Sequence, residues 1–296
     1  PTRRSSDLQS HCGGGYMSKL YFIAELGQNH QGDIKIAKRM VDSLIGSGVS
    51  AVKTAKRDID VCLTDEQKSM IYDNPNSFGR TYYEHRKALE LSHSEFDELK
   101  EYSESKGFDF ISSFTDIPSV DFLVDIGLKK LKIASQRITD KKLLKHTADI
   151  FSGEVYMSSG MSTIDDIDNM IDTFKNNKKY LLQCTSVYPC PNELLNLNTI
   201  KMYKERYSNQ VDGFGFSGHH AGIAPDISAY LMGATIIERH YTLNRSWKGT
   251  DHAASLGIDG VRKIIKYINE IDEAMGSYDK HILPEELPAI KKLRGN

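Results

Sequence analysis

The stretch LYFIAELGQNHQGDIKIAKRMVDSLIGSGVSAVKT (residues 20–54) contains one full repeat of the pattern from which the fold is inferred. It begins with the apolar run LYFIAEL, continues with apolar residues three or four positions apart between Ile34 and Leu44, and ends with a second run, SAVKT. Apolar residues at that spacing line one face of an α-helix, whereas short apolar runs rich in β-branched and aromatic residues are typical of buried strands. The stretch therefore predicts two parallel strands joined by a helix.

Six further runs of this kind follow along the chain, and a helical pattern follows each of them. The runs are DFISS (109–113), KLKIAS (130–135), EVYMSS (154–159), YLLQC (180–184), GFGFSG (213–218) and TIIERHY (235–241). Eight alternations of strand and helix predict an α/β fold of the (β/α)8 (TIM) barrel type, with strands buried on both faces. A doubly wound open sheet is the alternative, but no GxGxxG motif follows the first strand.

Length and composition agree with one soluble barrel domain. The chain has 296 residues, and single barrels commonly run near 250. The net charge is −2 with acids and bases interleaved, so no nucleic-acid partner is expected. No apolar run is long enough for a membrane span. The four cysteines form no CxxC pair, which favours reduced thiols and a cytoplasmic location.

The two ends of the chain are set apart from the barrel. Residues 1–16 precede Met17 and lack an apolar segment, so we expect a disordered, non-native leader there. The barrel domain is assigned to residues 17–280. Residues 281–296 (HILPEELPAIKKLRGN) are assigned to a C-terminal tail.

Polar residues lie at the end of every predicted strand. Barrel enzymes carry their chemistry at the C-terminal ends of the strands, and a barrel that serves only as a scaffold has no need of polar side chains there. The residues that stand out are Glu25, Lys53, Lys132, Ser135, Ser158, Ser217, His219, Glu238 and His240. The sequence therefore predicts an active site at this end of the barrel.

Two histidines predict a metal site. His219 ends the seventh strand and His240 ends the eighth, so both imidazoles can point to one spot. Barrel closure also brings Glu25 of the first strand beside the eighth. Two histidines with a nearby carboxylate suit a first-row divalent ion that keeps open positions. The alternative is that each histidine is an ordinary hydrogen-bonded loop residue.

Two lysines predict an anion site. Lys53 and Lys132 lie on otherwise apolar strands, where a buried ammonium group must have a partner. Three serines accompany them: Ser135, Ser158 and Ser217. Together these groups suit a phosphate or a carboxylate. Internal ion pairs with Glu25 or Glu238 and a Schiff-base lysine are the alternatives.

Seven motifs occur in order along most of the chain. They are AELGQNHQGD (24–33), AVKT (51–54), KIAS (132–135), SSGM (158–161), LLQCTSVYP (181–189), FSGHHAGI (216–223) and IERHYTL with GTDHAASL (249–256). In these stretches the chain resembles the sialic acid synthase family, the N-acetylneuraminate and related nonulosonate synthases. The family's C-terminal antifreeze-like domain has no counterpart in this sequence.

The resemblance implies a specific reaction. Phosphoenolpyruvate would condense with an N-acyl mannosamine-type sugar aldehyde to give a nonulosonic acid and phosphate. His219 and His240 would bind a divalent ion, Mn2+ before Mg2+ or Co2+, that polarises the aldehyde oxygen. Glu25, Lys53 and Lys132 would be catalytic. The substrate-binding residues would be Ser135, Ser158, Ser186, Tyr188, Ser217, Asp251 and, from the insertion after the second strand, Asn76. A homodimer is also implied.

The chain departs from the family pattern at four positions. Gly218 replaces an acid before the metal histidine, Ala55 replaces a glutamine, Arg137 replaces an acid after KIAS, and Ser186 replaces an asparagine. Two other interpretations follow. In a related aldose-phosphate condensing enzyme, Arg137 would favour a different acceptor, and in a catalytically weakened sugar-binding barrel, Gly218 and Ala55 would mark lost function. A metal-dependent hydrolase fits less well, because such barrels usually bring more carboxylate or histidine ligands.

Overall fold

The computed structural model describes residues 19–295, and the expected leader at residues 1–16 lies outside them. Eight parallel strands close into a barrel in sequence order, so β1 pairs with both β2 and β8. The strands are β1 (Tyr21–Gly27), β2 (Ala51–Lys56), β3 (Asp109–Phe114), β4 (Lys130–Ile133), β5 (Glu154–Ser158), β6 (Lys179–Cys184), β7 (Gly213–Gly218) and β8 (Ile236–His240). The predicted (β/α)8 barrel is confirmed, and each apolar run forms the strand expected of it.

Helices connect and flank the strands. They are α1 (Ile34–Ser43), α2 (Ile59–Cys62), α3 (Asp65–Ser69), α4 (Tyr82–Ala88), α5 (His93–Ser105), α6 (Ile117–Asp125), α7 (Lys141–Ile150), α8 (Ile164–Thr173), α9 (Thr199–Tyr207), α10 (Ala224–Leu231), α11 (Ile258–Met275) and α12 (Leu287–Arg294). Within residues 19–295, no helix has the length and apolar character that crossing a membrane requires.

The starts of several helices are encoded locally. The Asp33 carboxylate accepts hydrogen bonds from the backbone N–H groups of Lys35 and Ile36 and so caps α1. Ser92 and Thr163 begin α5 and α8 with capping boxes. A cap of this kind satisfies backbone donors that have no partner within the helix, so each helix begins where the cap stands.

The apolar core has two parts. The larger part lies between the strands and the surrounding helices. The smaller part fills the interior of the barrel and consists of Ile23, Ala51, Ile111, Tyr156, Leu182 and Ile236. Side chains alternate across a strand with a period of two. Residues two positions before or after this interior layer therefore also point into the barrel, one set toward each end.

The predicted polar insertion after β2 contains α2, α3 and α4. A backbone bridge between Ile71 and Thr81 closes its central loop. The central loop is tied to the loop that follows β8, because the Asn76 side-chain oxygen accepts a hydrogen bond from the backbone N–H of Gly249 at 3.2 Å. The insertion therefore covers part of the C-terminal end of the barrel.

Candidate active site

A cavity of about 340 Å³ opens at the C-terminal end of the barrel. Its floor is set by strand periodicity, because the residues two positions after the interior apolar layer line it. These residues are Glu25, Lys53, Ser113, Ser158, Cys184 and Glu238. The same alternation that buries the apolar layer thus points a polar layer into the cavity.

Nearly all of the predicted site residues line this one cavity. They are Glu25, Lys53, Lys132, Ser135, Ser158, Ser186, Tyr188, Ser217, His219, His240 and Asp251. Asn76 is the exception, because it does not line the cavity and its side-chain oxygen is occupied by Gly249. Its position in the loop supports the cavity rim and does not bring its side chain into the site.

The two lysines pair with the two buried glutamates. Lys53 contacts Glu25, and Lys132 donates to both carboxylate oxygens of Glu238 at 2.8 Å. Ser217 donates to Glu238 as well, at 2.9 Å. The internal ion pairs considered as an alternative are therefore present. They do not exclude anion binding, because each ammonium group has three N–H donors and both lysines line the cavity.

Burial and charge set the protonation of these groups. Burial alone would raise the pKa of Glu238, but Lys132 and Lys53 outweigh it and hold that pKa well below its usual range. Burial lowers the pKa of Lys53 to about 8, although Glu238 opposes the shift. The floor of the cavity therefore holds charged groups of both signs at neutral pH.

His219 and His240 face each other with ring centroids 5.4 Å apart. Burial lowers the pKa of His219 to about 3, and burial also lowers that of His240. Both imidazoles are therefore neutral at pH 7, the state in which histidine binds metal. The Tyr188 ring packs against His219 at a centroid distance of 4.1 Å and closes one side of the pair.

The histidine pair fits a divalent ion. The Nδ1 atom of His240 is buried and has no hydrogen-bond partner. A Cβ atom placed on Gly27 would lie 3.2 Å from Glu25 Oε1, 3.3 Å from His240 Nδ1 and 3.4 Å from Asp251 Oδ2, so three polar atoms surround one small space. Among residues 19–295 no group of three or more His, Cys, Asp or Glu side chains is arranged as a metal site. Two histidine nitrogens with positions left for water or substrate suit a catalytic ion.

The serines on the other side of the cavity have free hydroxyl groups. The Oγ atoms of Ser158 and Ser186 are buried without a hydrogen-bond partner. Ser135 accepts from the backbone N–H of Gly160 at 3.1 Å. A Cβ atom on Gly160 would lie 2.4 Å from Ser186 Oγ and 2.7 Å from Ser135 Oγ, so the glycine lets the two serines approach each other. This cluster offers unused donors to an anion.

Gly218 has a packing reason for being glycine. A Cβ atom there would lie 2.7 Å from the Phe216 ring and 2.9 Å from the His220 ring. The buried acid of this region is Asp226, which contacts His220 at 3.2 Å and accepts from Arg239 at 2.5 Å. Arg239 also donates to the backbone oxygen of His220 at 2.7 Å. The loop that carries His219 is thereby clamped to β8, which carries His240.

Arg137 does not lie where the sequence pattern suggested. It lines a neighbouring cavity of about 220 Å³ and pairs with Asp140 at 3.6 Å. Its neighbour Gln136 lines the main cavity instead, because residues 135–137 form one turn of 3-10 helix that turns successive side chains in different directions. Arg137 therefore does not line the cavity in which the acceptor was expected to bind. Ala55 does line the main cavity.

Several cavity residues were missed from the sequence. They are Gln28, Arg57, Arg86, Gln136, Met161, Cys184 and Thr250. Cys184 carried a usable signal, since it stands two positions after an interior apolar residue. Arg57 and Arg86 carried none, because the path of the insertion over the cavity is a tertiary feature.

Comparison with known proteins places the chain among sugar-acid synthases. A sequence profile of the NeuB family matches residues 40–280. The chain belongs to the NeuB family. The predicted family resemblance is thereby confirmed.

Individual members of the NeuB family align along most of the chain. Human N-acetylneuraminate-9-phosphate synthase is 34% identical over 281 residues, covering 94% of this chain and 77% of that protein. The N,N'-diacetyllegionaminic acid synthase of Legionella pneumophila is 36% identical over 283 residues, covering 93% and 78%. The solved structure of N-acetylneuraminic acid synthetase from Leptospira borgpetersenii matches with a TM-score of 0.78 and 29% identity, covering 94% of this chain and 93% of that one.

Proposed function

We propose that this protein condenses phosphoenolpyruvate with an N-acyl mannosamine-type sugar aldehyde to give a nonulosonic acid and phosphate. A carbon–carbon bond forms between C3 of phosphoenolpyruvate and the aldehyde carbon, water adds at C2, and the C2–oxygen bond to phosphate breaks. The observation that carries the proposal is the meeting of two lysines, four serines (Ser135, Ser158, Ser186 and Ser217) and two neutral histidines in one cavity of a NeuB-family barrel.

The lysine side of the cavity suits the phosphoenolpyruvate anion. Lys53 and Lys132 supply positive charge, and the buried hydroxyl groups of Ser158 and Ser186 supply donors that have no partner within the protein. Ser135 and Ser217 complete this wall. Charge-assisted hydrogen bonds in a site shielded from water are strong and directional, so they would hold the phosphate and carboxylate in fixed positions.

The histidine side suits the aldehyde. His219 and His240 would hold a divalent ion, which we propose to be Mn2+ before Mg2+ or Co2+, and when bound this ion would supply Lewis-acid activation of the aldehyde oxygen. The Arg239 clamp fixes the two imidazoles relative to each other. Tyr188 and Asp251 line the same side and would contact the sugar.

Glu25 lies between the two sides. It contacts Lys53 and, through the β1–β8 pairing, stands beside His240. We propose that its carboxylate orients the water that adds at C2 and accepts a proton from it. Lys53, which contacts this carboxylate, would hold it in position for the water.

The direct test is phosphate release. The protein is incubated with Mn2+, phosphoenolpyruvate and a panel of N-acyl hexosamines with and without a phosphate group, and release of inorganic phosphate is measured against a sample treated with a chelator. We expect metal-dependent release with at least one sugar. Release no faster than the no-sugar background with every member of the panel would reject the synthase assignment.

We also propose that the protein is a cytoplasmic homodimer. Cys62, Cys184 and Cys190 are all free thiols, as suits a reducing compartment. Apolar side chains of the segment that carries α12 are exposed, including Leu287 at 56% and Leu293 at 79%. Light scattering after size-exclusion chromatography tests the assembly, and a monomer mass at micromolar concentration would reject the dimer.

A further inference from the structure

Arg86 is a cavity residue with unused donors. It lies on α4 of the insertion, and its Nε and Nη2 atoms both donate to the Tyr82 hydroxyl, at 2.8 and 2.6 Å. Its guanidinium also lies over the Tyr82 ring, 4.9 Å from the centroid. Within residues 19–295 no carboxylate lies within 4.0 Å of it, whereas the other three cationic side chains of the cavity, Lys53, Arg57 and Lys132, each have at least one within that distance.

The Tyr82 contact fixes the direction of this guanidinium without using up its donors. A guanidinium has five N–H groups, and one hydroxyl oxygen engages only the Nε side of the fork. The Nη1 group and the second Nη2 hydrogen remain available. A planar fork held by a tyrosine suits bidentate binding of a phosphate better than a flexible lysine would.

The position of Arg86 puts it near the sugar side of the cavity. The insertion that carries Arg86 is hydrogen-bonded to the loop that carries Asp251, since the Asn76 side-chain oxygen accepts from the backbone N–H of Gly249 at 3.2 Å, and both Arg86 and Asp251 line the cavity. Asp251 in turn stands 3.8 Å from His240. Arg86 therefore belongs to the side where the acceptor would lie, at the rim formed by the insertion, and not to the serine wall.

The carbon skeleton of the product indicates where a phosphate on the acceptor would lie. A nine-carbon product takes three carbons from phosphoenolpyruvate and six from the sugar, so C9 is the carbon farthest from the new bond. The related human enzyme is named for a 9-phosphate product and the Legionella enzyme for an unphosphorylated one. A group on that carbon would extend away from the reacting aldehyde toward the rim.

We propose that the acceptor of this protein is an N-acyl hexosamine 6-phosphate and that Arg86 binds its phosphate. This inference rests on the proposed synthase function and adds the class of acceptor. Arg57, the residue that follows β2, adds positive charge to the same cavity, and its carboxylate partner Glu90 is shared with Lys56. The lining of the cavity carries four cationic side chains (Lys53, Arg57, Arg86, Lys132) against three carboxylates (Glu25, Glu238, Asp251), which leaves one positive charge in excess.

The experiment compares two acceptors that differ only in the phosphate. At saturating phosphoenolpyruvate and Mn2+, kcat/KM is measured for N-acetylmannosamine 6-phosphate and for N-acetylmannosamine. We expect the wild-type protein to prefer the phosphorylated sugar by about 100-fold, and Arg86→Gln to lower this ratio by about 10- to 100-fold, as loss of a charge-assisted hydrogen bond predicts. Tyr82→Phe, which removes the hydroxyl that orients Arg86, should lower the ratio by a smaller factor.

Lys87→Gln is the matched control. Lys87 is the next residue on α4, donates to the Tyr83 hydroxyl at 3.0 Å and does not line the cavity. The Lys87→Gln variant loses one positive charge, as Arg86→Gln does. We expect its ratio of kcat/KM for the phosphorylated over the unphosphorylated sugar to stay within about twofold of the wild type. Equal losses of the ratio in both variants would show a general charge effect and overturn the role of Arg86.

Other outcomes separate this inference from the function it rests on. A wild-type preference for the unphosphorylated sugar, or an Arg86→Gln effect confined to the KM for phosphoenolpyruvate, would overturn the inference while the synthase function stands. Turnover of neither sugar, with thermal unfolding showing folded protein, would reject both.

Discussion

The two ends of the barrel interior carry polar layers built in the same way but used differently. The C-terminal layer lines the active-site cavity, and we call this the open end. In the N-terminal layer the polar side chains pair with one another, and we call this the closed end. At the N-terminal end the layer lies two residues before the interior apolar residues and includes Tyr21, Asp109, Glu154 and Tyr180. Its members satisfy one another. Tyr21 donates to Asp109 at 2.6 Å, and Lys130 pairs with Asp109 at 3.2 Å and Glu154 at 3.0 Å.

The C-terminal layer is left partly unsatisfied. The hydroxyl oxygens of Ser158 and Ser186 and the Nδ1 atom of His240 are buried and have no hydrogen-bond partner. Buried polar atoms without partners are destabilising, so a folded protein that keeps several of them in one place is arranged for a ligand. The comparison shows that a polar residue inside the barrel is a sign of function only where its hydrogen bonds are incomplete.

We expect the largest difference in activity between the two ends from substitution of two lysines on β4. Lys132 faces the cavity and pairs with Glu238, and Lys130 is two residues earlier at the other end. We expect Lys132→Met to lower kcat/KM by about 1,000-fold, or about 4 kcal/mol, because it removes an anion-binding charge and leaves Glu238 with less compensation.

Lys130→Met makes the same chemical change at the closed end. We expect it to lower the free energy of unfolding by about 1–2 kcal/mol while kcat/KM stays within about threefold of the wild type. Phosphate-release kinetics and urea unfolding of both variants test the pair. Similar activity losses in the two variants would mean that the ends do not differ in function.

The next effect concerns the histidine pair. We expect His219→Ala to lower kcat/KM by at least about 100-fold and to weaken Mn2+ binding, because one of the two imidazole donors is lost. Isothermal titration with Mn2+ and phosphate release measure the two effects. A variant that kept full activity and full metal affinity would remove His219 from the metal site.

A smaller effect is expected from acid. His30 follows β1 at the open end, is 3% exposed, and accepts a hydrogen bond from the backbone N–H of Gly32 at 3.1 Å. Burial, with Arg57, lowers its pKa to about 4. Between pH 6.5 and 4 the unfolded chain therefore binds a proton that the folded protein rejects, so stability falls as the pH falls through this window.

Urea unfolding of the wild type and His30→Gln at pH 7 and pH 5 measures this contribution. We expect the wild type to lose about 1–2 kcal/mol more than the variant between these pH values. Equal losses would show that His30 is protonated in the folded protein or does not control the acid response.

The smallest effect is expected at the closed end. Tyr21→Phe removes the hydroxyl that donates to Asp109 and should lower the free energy of unfolding by about 1 kcal/mol, with unchanged kcat/KM. Ser158→Ala is its counterpart at the open end and should leave stability nearly unchanged while activity falls about tenfold. Thermal unfolding and phosphate release distinguish them, and an activity loss in Tyr21→Phe would contradict the division between the ends.

Much of the site could be predicted from the strands. Glu25, Lys53 and His240 lie in the C-terminal parts of their strands, and in a parallel barrel the C-terminal ends of all strands lie on the same face. Residues in loops were harder to place. Asn76 was expected in the cavity and lies at its rim, and Arg137 was expected to act on the acceptor but faces a neighbouring cavity. Loop side chains follow no fixed period, so sequence spacing does not give their direction.

The amino-acid sequence was sufficient to predict the barrel, its eight strands and the meeting of His219 with His240. The apolar patterns of strands and helices are local properties of the chain, and closure of eight parallel strands into a barrel then fixes which strand ends are neighbours. The folded structure was needed for the pairing of Lys132 with Glu238, for the packing that requires glycine at position 218, and for the approach of Arg86 to the cavity. These depend on distances between residues far apart in the chain, and such distances are set by packing of the whole molecule.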